Sequence, residues 1–187
     1  QAACIPLNEA RSFHAGYLFL QSIFTSLRMD KICRNIKSRH KFKYNLNAIL
    51  TDLVYARILS PASKLASYEY CQSLLEPPKY SLQDVYRSLS VIAGESDFIQ
   101  SELYKNTNFL YPRNDRVLYY DCTNYYFEIE EDNLRRYGKS KENRPNPIVT
   151  MGLFMDADGL PLAFDIFPGN QNEQTTLKPL ESKILQD

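Results

Sequence analysis

The hydrophobic period of this chain changes once, and that change fixes its class. Up to about residue 110, apolar side chains recur at helical spacing. Beyond Pro112-Arg113-Asn114-Asp115 they cluster in short runs rich in aromatic and β-branched residues, bounded by Gly, Pro and Asn. The pattern predicts an α+β chain with its helices first: a helical domain over 1–110 and a strand-bearing one over 115–187.

Within the first part, Phe13, Tyr17, Leu18, Leu20, Phe24, Leu27 and Ile32 predict a helix over 13–33. Asn45 is a good N-cap for a helix carrying Leu46, Ile49, Leu50, Leu53, Val54 and Ile58. Ser60-Pro61 predicts a fresh start, a capping Ser with Pro at the first helical position, and a helix running to Leu75 before Pro77-Pro78. Ser81 and Asp84 have the spacing of a capping box ahead of Val85, Leu89 and Ile92. Phe98–Tyr104 predicts one more helix.

In the second part, Arg116–Glu128 reads as a strand. Upstream of Asp121 both faces are apolar, Val117 and Tyr119 on one and Leu118 and Tyr120 on the other. That predicts a central strand covered on both sides. Asp121 shares the face of Val117 and Tyr119, where a lone carboxylate loses its hydration unless it is paired or bound to metal. This makes Asp121 a candidate site residue. The plainer alternative is an Asp paired to a neighbouring Arg or capping a turn at the strand end. A polar connection over 130–147 follows, then an apolar strand, Ile148–Met155. Asp156-Ala157-Asp158-Gly159 predicts a hairpin turn, with Gly159 free to take positive φ. Leu160–Phe167 is a third strand, demoted toward an edge by Pro161. A helix with Leu177, Leu180 and Ile184 begins near Thr175. The order is an antiparallel meander followed by a helix.

Lys and Arg number 22, as do Asp and Glu, so no net charge draws this chain to nucleic acid and any such surface must come from local clustering. One cluster runs from Arg28 through Lys31, Arg34, Lys37, Arg39 and Lys41 to Lys43 against the single acid Asp30. It is either a solvated helix face or a phosphate-contacting patch. A second, Arg135, Arg136, Lys139, Lys141 and Arg144, lies in the polar connection. Cys4, Cys33, Cys71 and Cys122 form no C-x-x-C pair, which argues against zinc or a disulfide framework and fits a reducing compartment. No apolar run approaches the roughly 18 residues of a membrane span, and no charged-then-apolar stretch marks a signal peptide. The Asp-Ala-Asp-Gly turn lacks the later ligands of a calcium loop.

Tyr119-Tyr120-Asp121-Cys122-Thr123-Asn124-Tyr125-Tyr126-Phe127-Glu128 resembles the first catalytic strand of bacterial insertion-sequence transposases of the DDE class. Gly138-Lys139-Ser140-Lys141-Glu142-Asn143-Arg144-Pro145 resembles the loop that follows it. Met151-Gly152-Leu153, Asp158-Gly159-Leu160-Pro161-Leu162 and Phe167-Pro168-Gly169-Asn170 continue the likeness in order. It is strongest over 117–170 and extends more weakly from about residue 40. The resemblance implies a ribonuclease-H-like core, of which this chain carries the first three antiparallel strands and the first helix. It implies an Asp-Asp-Glu set holding two Mg²⁺ ions roughly 3.5–4 Å apart, which activate the attacking oxygen and stabilise the departing one. Asp121 matches the first of the three, as catalytic residue and metal ligand. The second Asp and the Glu belong to later elements, so a longer natural chain is expected, and this chain alone is expected not to cleave or join DNA. The implied partner is double-stranded DNA at transposon ends, with a possible homodimer, no membrane, and a bacterial cytoplasmic, nucleoid-associated setting. Arg34, Lys37, Arg39 and Lys41 become candidate DNA contacts, and Lys139, Lys141 and Arg144 a candidate phosphate clamp. Two other readings stay open: a non-catalytic DNA-binding or interaction protein, and an unrelated domain in which Asp121 is merely paired with a basic side chain.

Overall fold

Arg28 decides how the chain begins. It adopts a left-handed conformation, φ 54°, uncommon for a residue with a Cβ. The single helix expected over 13–33 is therefore two, α1 (Leu18–Ser26) and α2 (Met29–Arg39). The computed structural model describes residues 12–139, 141–142 and 145–186. It is α+β, and it divides into two compact units, the first ending at Ile99 and the second beginning at Gln100.

The first unit is helical. Asn45 caps α3 (Leu46–Leu59) as expected, its side chain accepting from the Ala48 N–H at 3.1 Å. The next helix starts later than Ser60-Pro61 predicts. Ser63 is the cap, accepting from the Ala66 N–H at 3.2 Å, and α4 spans Lys64–Cys71 rather than reaching Leu75. Ser81 and Asp84 form the full capping box of α5 (Leu82–Gly94), satisfying two backbone N–H groups that the first turn leaves free. The helix expected at Phe98–Tyr104 is longer, α6 (Ser96–Leu110), and its first turn closes the first unit. α3 is the hub, packing on α2, α4 and α5. One core cluster gathers Tyr17, Tyr55, Ala56, Cys71 and Leu74.

The second unit carries the meander. β1 (Tyr119–Tyr126), β2 (Ile148–Met155) and β3 (Pro161–Pro168) pair antiparallel in the order β1-β2-β3. α7 (Glu173–Gln186) packs on β2 and β3. Gly159 takes φ 78° in the hairpin turn, and β3 lies at an edge, both as the sequence predicts. β1 is also an edge among the described residues, and here the expectation of a central, doubly covered strand is corrected. Only its even residues face protein. Tyr120 packs against Phe154 in the cluster that holds Ala163 and Leu180, and Cys122 is buried, whereas Tyr119, Asp121, Thr123 and Tyr125 are exposed. The apolar run misled because tyrosines tolerate a wet face: the ring covers its neighbours while the hydroxyl stays hydrated. Gly152 makes room for Tyr120, since a Cβ there would stand 2.5 Å from the Tyr120 hydroxyl. That hydroxyl bonds Thr176 of α7 and accepts from the Cys122 thiol at 3.2 Å, so β1 is tied to the helix by side chains as well as through β2.

The buried acid of this unit is Asp156, not Asp121. Its carboxylate is inaccessible and accepts from the Asp158 and Leu160 N–H groups at 3.0 and 2.8 Å, closing the β2–β3 turn. Arg113 Nε donates to it at 2.5 Å. The same guanidinium reaches the carbonyls of Leu160 and Pro161 and the Thr107 hydroxyl. Burial works against ionisation of Asp156, but Arg113 and the N–H donors outweigh it and hold the pKa below the ordinary value.

Candidate functional site

Two glycines bring the lysine-bearing loop onto the sheet. Arg136 and Ile148 exchange both backbone hydrogen bonds, at 3.1 and 2.8 Å, which folds the connection back along the start of β2. Gly138 then meets Gly169 backbone to backbone: a Cβ on Gly138 would lie 1.8 Å from the Gly169 carbonyl oxygen, and one on Gly169 would lie 2.2 Å from the Ile148 carbonyl. No other residue type fits either place. The motifs containing these glycines are thus a packing device that sets where Lys139 and Lys141 emerge.

Lys141 Nζ donates to Asp121 Oδ1 at 2.9 Å. The Asp121 side chain is 65% exposed and that of Lys141 56%. The hydrogen bond from Lys141 holds the Asp121 carboxyl below its ordinary pKa, and the same bond raises that of Lys141, with Glu173 adding to the effect. The premise that Asp121 is stripped of water is therefore overturned. It is ionised, hydrated and paired, the arrangement that a purely structural Asp would also show.

Beside the pair opens a cavity of about 560 Å³, lined by Lys139, Lys141, Asn124, Thr150 and the loop over 169–174. Thr150 donates to Asn124 Oδ1 at 3.1 Å, while the buried Asn124 Nδ2 has no hydrogen-bond partner among the described residues. The loop leads into α7, whose first turn Asn172 caps by accepting from the Gln174 N–H at 3.0 Å. Two ammonium groups, an amide with a spare donor and a helix N-terminus make this rim suited to an anion such as a phosphate. An incoming phosphate competes with Asp121 for the N–H donors of Lys141.

A two-cation centre is a different matter. Among the described residues, no three His, Cys, Asp or Glu side chains converge. Asp121 can serve as one ligand, but the donor set of two hard cations, several carboxylate oxygens, does not assemble around it.

The other candidate contacts divide. Arg34 is exposed and pairs with Asp30 at 2.6 Å, and Lys37 and Lys41 are exposed. Arg39 is occupied within the fold. It donates to Glu95 at 2.5 Å and its guanidinium lies 4.1 Å from the Phe98 ring centroid, while His40 contacts the same carboxylate at 2.7 Å. Arg39 therefore ties the end of α2 to the junction of α5 and α6. Arg144 and Cys4 lie outside the described residues. Cys33, Cys71 and Cys122 are free and buried. Burial raises the Cys33 thiol to about 11 and the Cys71 thiol to about 12, so neither supplies a thiolate near neutrality.

Two features escaped the sequence. The Arg113–Asp156 pair joins residues 43 apart, and no local pattern signals it. In the first unit, Asp52 is largely desolvated and accepts from the Tyr80 hydroxyl at 2.7 Å. Burial raises its pKa despite that bond, and Glu76 adds to the rise. Its position amid the apolar residues of α3 was the available signal. No helix among the described residues is long and apolar enough to cross a membrane. No family model, curated protein or solved structure matches this chain.

Proposed function

We propose that this chain binds duplex DNA as the front part of a DDE-class transposase and does not itself cut or join strands. The supporting observation is the order of elements: three antiparallel strands in a meander, then a helix on the sheet, with Asp121 midway along the first strand. That is the order the resemblance leads one to expect. In this reading Lys139 and Lys141 grip a backbone phosphate at the loop rim. Asp121 matches the first of the acids that the resemblance implies, while the acids that would complete a Mg²⁺ site with it do not gather around it among the described residues.

The second reading is a DNA-binding or interaction protein without strand chemistry. The two share their first test. Binding of the purified chain to duplex DNA should weaken steeply with salt, log K falling by about 0.9 per phosphate neutralised per unit of log salt. Failure to bind at low salt removes the first reading and leaves the second only as an interaction protein. The second test bears on both, since neither reading has this chain cut DNA by itself. With Mg²⁺ or Mn²⁺ the chain alone should leave DNA uncut. Robust nicking lost in Asp121→Ala would show that the acid set is complete without further elements.

A further inference from the structure

The first unit holds a cavity of about 600 Å³ that the DNA reading leaves unused. Ala48 and Asp52 reach it from one face of α3, and Glu76 and Tyr80 from the chain that joins α4 to α5. Between these last two, Pro77-Pro78 fixes the backbone φ. The Tyr80 carbonyl accepts from the Tyr68 hydroxyl at 3.2 Å. The cavity is therefore held in shape by the protein itself.

Its two principal acids are arranged alike. Asp52 accepts from the Tyr80 hydroxyl at 2.7 Å and Glu76 from that of Tyr17 at 3.3 Å, each through one oxygen. Among the described residues the other oxygen of each makes no hydrogen bond, and neither acid pairs with a cation. Lys43 and Lys79 line the same cavity, but both are exposed and reach neither carboxylate. Tyr55 supplies an independent sign. It is 2% exposed, and its hydroxyl has no hydrogen-bond partner among the described residues. It follows Ala48 and Asp52 on the same face of α3, and a helical side chain leans back over the preceding turn, here that of Asp52. Burial raises its pKa, and the Asp52 charge adds to the rise. Tyr17, whose ring centroid lies 5.6 Å from that of Tyr55, turns its own hydroxyl to Glu76. A buried hydroxyl is thus left without a partner beside two carboxylates that are each only half used.

We infer that this cavity binds an alkylammonium ion, its N–H donors taken by Asp52 and Glu76 and its carbon chain laid against the rings of Tyr44 and Tyr80. The inference goes beyond the DNA-binding reading and does not depend on it. An ammonium carries three donors. The free oxygens of Asp52 and Glu76 take two, and the Tyr55 hydroxyl can accept the third, directly or through a water. A bare metal ion fits less well, because no three acids converge among the described residues and two carboxylates leave it short of ligands. The tyrosine rings favour an organic cation, since their faces attract positive charge and their carbon surface covers an alkyl chain. Bound there, the cation offsets a charge that is otherwise partly desolvated and faces a second acid.

The test is an amide NMR titration of the whole chain with n-butylammonium and, separately, with lysine blocked at both backbone ends. Sodium chloride at matched ionic strength is the blank. Tetramethylammonium, which has the charge but no N–H, is the control for hydrogen bonding. Both amines should shift the resonances of Ala48, Asp52 and Tyr80 saturably, and tetramethylammonium should bind more weakly. Asp52→Asn should reduce affinity on the order of tenfold. That variant is expected to be at least as stable as the parent, so lost binding is not lost folding. Acidification through the native pKa of Asp52 should weaken binding to the parent in the same way. A tighter grip on blocked lysine than on butylammonium supports the site and assigns it to a partner's side chain; the reverse supports it and assigns it to a free amine. Shifts no larger than those of sodium, equal affinity for tetramethylammonium, or unchanged affinity in Asp52→Asn would each overturn the inference, whatever the chain does with DNA.

Discussion

The second unit holds two carboxylate–cation pairs that differ in almost every respect but their chemistry. Asp156 and Arg113 are 0% and 2% exposed, and the acid receives backbone N–H donors besides its cation. Asp121 and Lys141 are mostly in water and share a single contact. The first pair closes a hairpin turn and anchors the end of α6. The second leaves its acid and its ammonium free to exchange partners. Satisfied burial makes an ion pair structural, because breaking it strands a charge in the interior. Exposure makes it weak and replaceable, and a replaceable pair beside a polar cavity can respond to a ligand.

The contrast can be broken experimentally. Arg113→Met should cause the largest loss, lowering Tm by roughly 10–20 °C, because Asp156 then lies buried without its cation. Thermal unfolding followed by circular dichroism measures it. The pH dependence has a definite sign. The native pKa of Asp156 is depressed, so its stabilising contribution is complete above the ordinary value of 3.8 and is lost as pH falls through the native pKa. The penalty of Arg113→Met should therefore shrink in strong acid.

Gly138→Ala should come next, at roughly 1–3 kcal/mol, since the added methyl has only backbone to push against. Denaturant titration gives the loss. A shift in the Asp121–Lys141 contact, read from side-chain resonances, would show that the loop carries the site with it. An unchanged stability would mean that the Gly169 segment yields easily.

Asp52→Asn sharpens the comparison from the opposite direction, because Asp52 is a desolvated carboxylate that receives a hydroxyl where Asp156 receives a guanidinium. Its native pKa is raised, so its ionisation costs stability as pH climbs above 3.8. The variant should be more stable than the parent by a few degrees at neutral pH, and the gain should vanish in acid, where the parent is protonated too. A loss at neutral pH would mean that the charge is matched by a cation.

The smallest effect on stability belongs to Asp121→Asn, within about 0.5 kcal/mol once solvent screening is allowed for. A cost comparable to that of Arg113→Met would erase the distinction between the two pairs. Lys141→Gln should be equally mild for folding, yet it should reduce the salt slope of DNA binding by about one unit.

Local chemistry was legible in the sequence wherever neighbours along the chain decide the outcome. The Asn45 cap, the Ser81–Asp84 box and the Gly159 turn all rest on residues within a few positions of each other. The errors arose where a distant partner decides. Asp121 was read as desolvated because the alternation of Val117 to Tyr120 cannot say which face a helix will cover, and α7 covers the even one. Arg39 looked like its basic neighbours, but Glu95 lies 56 residues away. Lys141 likewise meets Asp121 at 2.9 Å across 20 residues, a pairing that a strand's own alternation does not signal.

The contact between Gly138 and Gly169 separates what anchors the loop from what the loop displays. The anchor is made of peptide groups alone, so it is indifferent to the side chains at 139, 141 and 142. Those positions can be recoded in charge, reach or bulk without disturbing their mooring. Selectivity at this rim is thus free to drift over evolutionary time, or to be rewritten by design, while the scaffold beneath keeps its shape.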